Sequence, residues 1–134
     1  MKRIGLKWIL TGIGLAGLVL ASTTFAYSLS SIYARVEEVR RTAGNRYGGD
    51  KVSALMSLAE DGQAPFRLRN EACWALGQIG DSRALPLLRD LDTEEAQTRP
   101  WNRDACIVQY TVEKAIRQIN GDFSLTRWMY ARLE

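Results

Sequence analysis

The spacing of apolar positions changes twice along this chain. From Trp8 to Ala34 there is no charged residue, and the most apolar part is Trp8–Val19. Phe25, Leu29, Ile32, Val36, Val39 and Ala43 then fall at alternating steps of four and three. That heptad seam predicts a helix that continues past the apolar run. Further on, Leu68, Ala72, Ala75, Leu76 and Ile79 recur at three and four, which predicts a helix with one narrow apolar stripe. Gly80 stands where a left-handed residue ends a helix, and Asp81 where a side chain caps the next one.

Turn residues divide the remainder. Gly44, Gly48 and Gly49 break the chain within Arg40–Asp50, and Asp50 is suited to cap a short helix running to Ala59 or Glu60. Pro65 opens the striped helix in the first-turn position that proline tolerates. Pro86 lies early in the next short helix. Asp92–Pro100 reads as a polar loop, Trp101 to Asn120 as a second long helix, and Phe123–Leu133 as a last amphipathic helix with Leu125, Trp128, Met129 and Leu133 on one side.

A narrow stripe of small residues needs a partner helix, and the sequence supplies one by repetition. Ala75-Leu76-Gly77-Gln78-Ile79 recurs loosely as Ala115-Ile116-Arg117-Gln118-Ile119, with Leu68 matching Val108 and Ala72 matching Val112. A short helix precedes each copy, Ser53–Leu58 and Arg83–Leu88. With these residues in place, the chain resembles HEAT-like repeats of the type named after phycobilisome lyases. Their second helix typically reads V-R-x-x-A-x-x-A-L-G-x-I-G-D, and Leu68–Asp81 follows it closely. The second copy departs from it, with Gln109 in place of the arginine and Arg117 in place of the glycine.

The resemblance implies an all-α fold, a short HEAT-like α-solenoid over residues 50–134 made of two helical pairs plus a terminal helix; the apolar run before it reads separately as an N-terminal transmembrane helix. It also implies a binding surface rather than a chemistry, with protein partners and no cofactor. Two pairs are few for a solenoid, which usually needs about three repeats. Either the membrane-proximal segment folds back to cover them, or another protein does, or the five helices form a small bundle unaided.

The N-terminal run has two readings. Trp8 to Tyr27 is about 20 residues, or about 30 Å of helix, long enough to cross a bilayer with Trp8 and Tyr27 at its two interfaces. Alternatively, Val19-Leu20-Ala21 or Thr24-Phe25-Ala26 serves as the cleavage site of a signal peptide. The shared register with the following seam favours the anchor. The domain reading is then an anchor over 1–28, a membrane-proximal helix and Gly-rich linker over 29–49, and the repeats from 50. The membrane expected is a bacterial inner membrane, crossed once, with the repeats outside the cytoplasm.

Charge narrows the partners. The chain carries 18 Lys+Arg against 15 Asp+Glu, and Lys2, Arg3 and Lys7 account for the whole excess, 18 − 3 = 15. No basic stripe remains for nucleic acid. There is no histidine, which removes imidazole catalysis and imidazole metal ligation. Cys73 and Cys106 fall about two turns apart in repeat register, too far for a disulfide. Asp90, Asp92, Glu94 and Glu95 read as a solvated acidic loop. The chain is therefore expected to be non-enzymatic.

Two groups of residues remain as candidate sites. Trp74 lies nearly opposite the apolar stripe of its helix, and Ile107 and Tyr110 lie on the corresponding face of the second long helix. Together they form an apolar patch where solvent is expected, suited to a protein partner, unless Trp74 only covers a loop or the returning membrane-proximal helix. Trp101 and Trp128 read as core. In the apolar run, Gly14, Gly17 and Ala21 share one side and allow close packing of membrane helices.

Overall fold

A computed structural model describes residues 5–92, 103–122 and 124–133; among them every regular element is helical. The helices are α1 (Leu6–Tyr47), α2 (Lys51–Glu60), α3 (Phe66–Ile79), α4 (Leu85–Leu91) after a single 3-10 turn at Ser82–Ala84, α5 (Arg103–Ile119) and α6 (Leu125–Leu133). The chain divides into two compact units, Met1–Ile32 and Tyr33–Glu134.

In the first unit, Trp8, Leu10, Ile13, Leu15, Leu18, Val19 and Leu20 are all exposed. No apolar face turns inward. The hydroxyls bond to the helix's own backbone: Ser22 to Leu18 O at 2.8 Å, Thr24 to Leu20 O at 2.8 Å, and Ser28 to Thr24 O at 2.9 Å. A hydroxyl satisfied in this way does not need water.

The second unit begins at Tyr33, whereas the sequence pattern suggests repeats from residue 50. The reason is burial: Val36, Val39 and Ala43 sit in the same core as Leu55, Leu58, Leu76 and Leu88. The end of α1 is also clasped electrostatically. Asp61, in the turn after α2, accepts from the Tyr47 hydroxyl at 2.5 Å and from the Arg46 guanidinium at 3.0 Å. Arg35 of α1 pairs with Glu71 of α3.

Helix ends follow the sequence signals. Asp50 caps α2 by accepting from Ser53 N at 3.0 Å, and Asp81 accepts from Arg83 N at 2.9 Å. Arg83 bridges both aspartates, 2.8 Å from Asp81 and 2.9 Å from Asp50. Gly80 ends α3 at φ 76°, with its N–H donating to Leu76 O.

α3 is the central element and packs against α2, α5 and α6. Its approach to α5 is very close. A Cβ placed on Gly77 would lie 2.8 Å from Ala115 Cα and 2.7 Å from Gln118 Oε1. At the same level Gln78 Nε2 donates to Gln118 Oε1 at 3.5 Å, and Gln118 Nε2 donates to Ser124 Oγ at 2.9 Å.

The terminal helix departs from expectation. Trp128, read as core, is 50% exposed, and Leu125 on the same side is 43% exposed. Tyr130 is the buried residue, its ring 5.5 Å from that of Tyr33. The helix is thus rotated to offer Tyr130 to α1. The side that is buried is set by α1, a partner distant in the chain. Met129 and Leu133 have side chains outside the described residues.

Two predictions test this packing. Gly77→Ala should destabilise the protein by about 1–3 kcal/mol, because overpacking against α5 backbone outweighs the gain in helix propensity. Leu76→Ala, at a fully buried site, should cost about 2–5 kcal/mol. Urea unfolding of the full chain in mild detergent reads both; a Gly77→Ala protein more stable than wild type would refute the close approach.

A third prediction concerns acid. The Tyr47 hydroxyl, Gln63 N–H and Arg46 hold the Asp61 carboxyl below the usual carboxylate range. A lowered folded-state pKa contributes stability that is complete above about pH 4 and lost as pH falls through the folded value. Asp61→Asn should therefore lower the urea midpoint at neutral pH and lose less than wild type on acidification. Parallel pH profiles for the two proteins would contradict the clasp.

Candidate interaction surface on the long helices

The two long helices are held in matching register by equivalent residues. Arg69 Nε donates to Ala59 O at 3.0 Å, at the end of the preceding short helix α2. Forty residues on, Gln109 Nε2 donates to Leu91 O at 3.1 Å, at the end of α4. The departure from arginine at residue 109 therefore keeps the function, since either side chain supplies a donor to an otherwise unpaired terminal carbonyl. Gln78 and Gln118, also forty apart, meet directly.

This register sets the candidate face. Asn70 and Trp74 lie one turn apart on α3; Tyr110 and Lys114, forty residues later, lie one turn apart on α5. Tyr110 is 62% exposed. Trp74 is half-buried and packs partly against the core, so only part of its indole is open. Ile107 lies in α5, and its side chain is outside the described residues. The structure thus puts Trp74 and Tyr110 on neighbouring helices, and among the described residues their rings do not stack on each other.

Asn70 was missed in the sequence. Its Oδ1 is buried without a hydrogen-bond partner, beside Trp74 on the same helix face. The signal was its four-residue spacing from Trp74, which a search limited to apolar residues passes over.

Other candidates separate clearly. Cys73 is buried and unpaired, and burial pushes its thiol up to about 11. The side chains of Trp101 and Cys106 lie outside the described residues, as do Glu94 and Glu95; Asp90 is exposed. Among the described residues no three of His, Cys, Asp or Glu come together as metal ligands would. On α1, a Cβ at Gly14 or Gly17 would meet nothing within 4 Å, and Ala21 beside them is exposed.

The family described as HEAT repeats matches residues 30–102. No curated protein and no solved structure matches the chain.

The thiol environment gives a direct check on α3. In a Cys106→Ser variant, Cys73 should resist maleimide in the folded protein and label fully in denaturant without reductant. Rapid labelling of the folded form would mean that α3 does not bury that side.

Proposed function

The chain belongs to the HEAT-repeat family, and from that premise we propose that it is a non-enzymatic, membrane-anchored module that binds other proteins as an accessory or assembly subunit of a membrane complex. HEAT repeats typically mediate protein–protein interaction and are generally non-catalytic scaffolds. The finer assignment, to the phycobilisome-lyase type of repeat, rests on the motif Leu68–Asp81; lyase chemistry is not part of this reading.

The observation that carries the anchoring is α1 itself. It is long and apolar enough to cross a membrane. Its first unit exposes large apolar side chains all round, and a helix of that kind is stable only in an apolar surrounding. Its hydroxyls need no solvent, as a bilayer requires. Further along the same helix, Val36, Val39 and Ala43 belong to the repeat core. In this reading the short tail before the span stays in the cytoplasm of a bacterial cell and the repeats lie outside it. Gly14, Gly17 and Ala21 offer a side on which another membrane helix packs.

For binding, the reading uses the face bearing Trp74, Ile107 and Tyr110. The exposed Tyr110 ring supports it, since aromatic anchors carry a large share of interface energy. The second reading is a secreted or periplasmic protein freed by cleavage after Ala21 or Ala26, favoured by the small residues there.

Two measurements decide. After carbonate washing, the protein should remain in the membrane pellet with an intact mass that includes residues 1–26. A soluble protein lacking 21 or 26 residues would establish the second reading. Tyr110→Ala should lose co-purifying proteins in mild detergent, with truncation of a true anchor costing about 2 kcal/mol or more, while helical circular dichroism is unchanged. A folded Tyr110→Ala protein that keeps every partner would remove this face from consideration.

A further inference from the structure

The outer face of α6 is unusual for a terminal helix. Leu125, Trp128 and Arg132 recur at steps of three and four and so share one side. Leu125 and Trp128 are 43% and 50% exposed, and the Arg132 guanidinium lies over the Trp128 ring, 4.7 Å from its centroid. The opposite side is already engaged. Tyr130 is 4% exposed against Tyr33, and Arg127 donates to Gln118 O at the end of α5. An amphipathic helix has therefore turned an indole and a leucine outward while its inner side is satisfied. Leu125–Leu133 also contains two arginines and no carboxylate.

The covalent chain limits what can cover this face. Tyr130 touches Tyr33, and Tyr33 follows Tyr27 by 33 − 27 = 6 residues. Six residues reach no further than about 20 Å however the chain runs. If the apolar stretch spans a bilayer to Tyr27, Tyr33, which α6 touches through Tyr130, is tethered within that distance of the lipid headgroups.

We propose that Leu125, Trp128 and Arg132 form a membrane-surface contact, with the Trp128 indole seated at the headgroup level of an anionic phospholipid layer and Arg132 facing its phosphates. This inference rests on the anchor reading of α1. Trp and Leu backed by Arg is the composition that binds at an interface: the rings enter the headgroup boundary and the cation stays at the polar level. Arg132 over the indole meets both requirements at one position, since a guanidinium bonds phosphate with its edge while its face lies on the ring. The contact would hold the second unit at the membrane by a point other than α1.

The test uses the full chain reconstituted into vesicles of phosphatidylcholine and phosphatidylglycerol that carry bromine on acyl carbons just below the headgroups. Emission of wild type minus Trp128→Phe isolates Trp128; wild type minus Trp8→Phe isolates Trp8. Circular dichroism checks that both variants are folded. Loss of both components, with Trp128 shielded from aqueous iodide, is the expected result. A quenched Trp8 with a bright, iodide-accessible Trp128 would overturn the inference and leave the anchor standing. A bright Trp128 shielded from iodide would mean that protein covers the face, and would also overturn it. An unquenched Trp8 would remove the anchor reading itself, and the membrane contact with it.

Discussion

The second unit depends on one close approach, that of α3 to α5 at Gly77 and Ala115. With no side chain at Gly77, backbone meets backbone, and the buried amides of Gln78 and Gln118 come within hydrogen-bonding range. The same approach brings Gln118 to Ser124, which also accepts from Arg127 N at the start of α6. A wider separation would leave the buried Gln78 Nε2 donor and Gln118 Oε1 acceptor without each other, and an unsatisfied buried polar group costs about 1–3 kcal/mol. Small residues on the stripe and polar residues beside it thus serve a single geometry.

Much of this was legible in the sequence because it is local. Helix ends follow from single residues such as Asp50, Gly80 and Asp81, whose capping depends only on neighbours in the chain. The repeat of Gln78 at Gln118 follows from periodicity. What the sequence did not disclose depends on distant partners. Nothing in Val36, Val39 and Ala43 distinguishes a seam facing another membrane-proximal helix from one facing the repeats. Trp128 and Tyr130 are equally plausible as core residues until α1 supplies Tyr33 to one of them. The candidate face was only partly readable for the same reason: Trp74 stands off the stripe, yet its helix is buried on more sides than one stripe implies.

The two units present opposite physical problems. The first exposes apolar side chains and bonds its hydroxyls to its own backbone; the second buries apolar side chains and arranges its charges outside, around Asp61, Glu71 and Arg83. One helix belongs to both. Its sequence changes character near Arg35, where charged residues return among the apolar ones, and within a few residues the seam becomes core. Any account of the protein's role has to explain why an interaction domain takes its first buried residues from the helix that carries the apolar stretch.

The donors at Arg69 and Gln109 have a consequence for the order of assembly. They tie each long helix to its own preceding short helix across 10 and 18 residues, whereas Gln78 and Gln118 are 40 apart. Closing the forty-residue loop costs about 1.2 kcal/mol more entropy than closing the ten-residue one. Each hairpin can therefore form as soon as it leaves the ribosome, and docking of hairpin on hairpin is the step that waits for distant chain, as expected where local contacts dominate. Because the first hairpin is the one joined to α1, it would be folded before its neighbour is complete, giving the second a surface on which to condense.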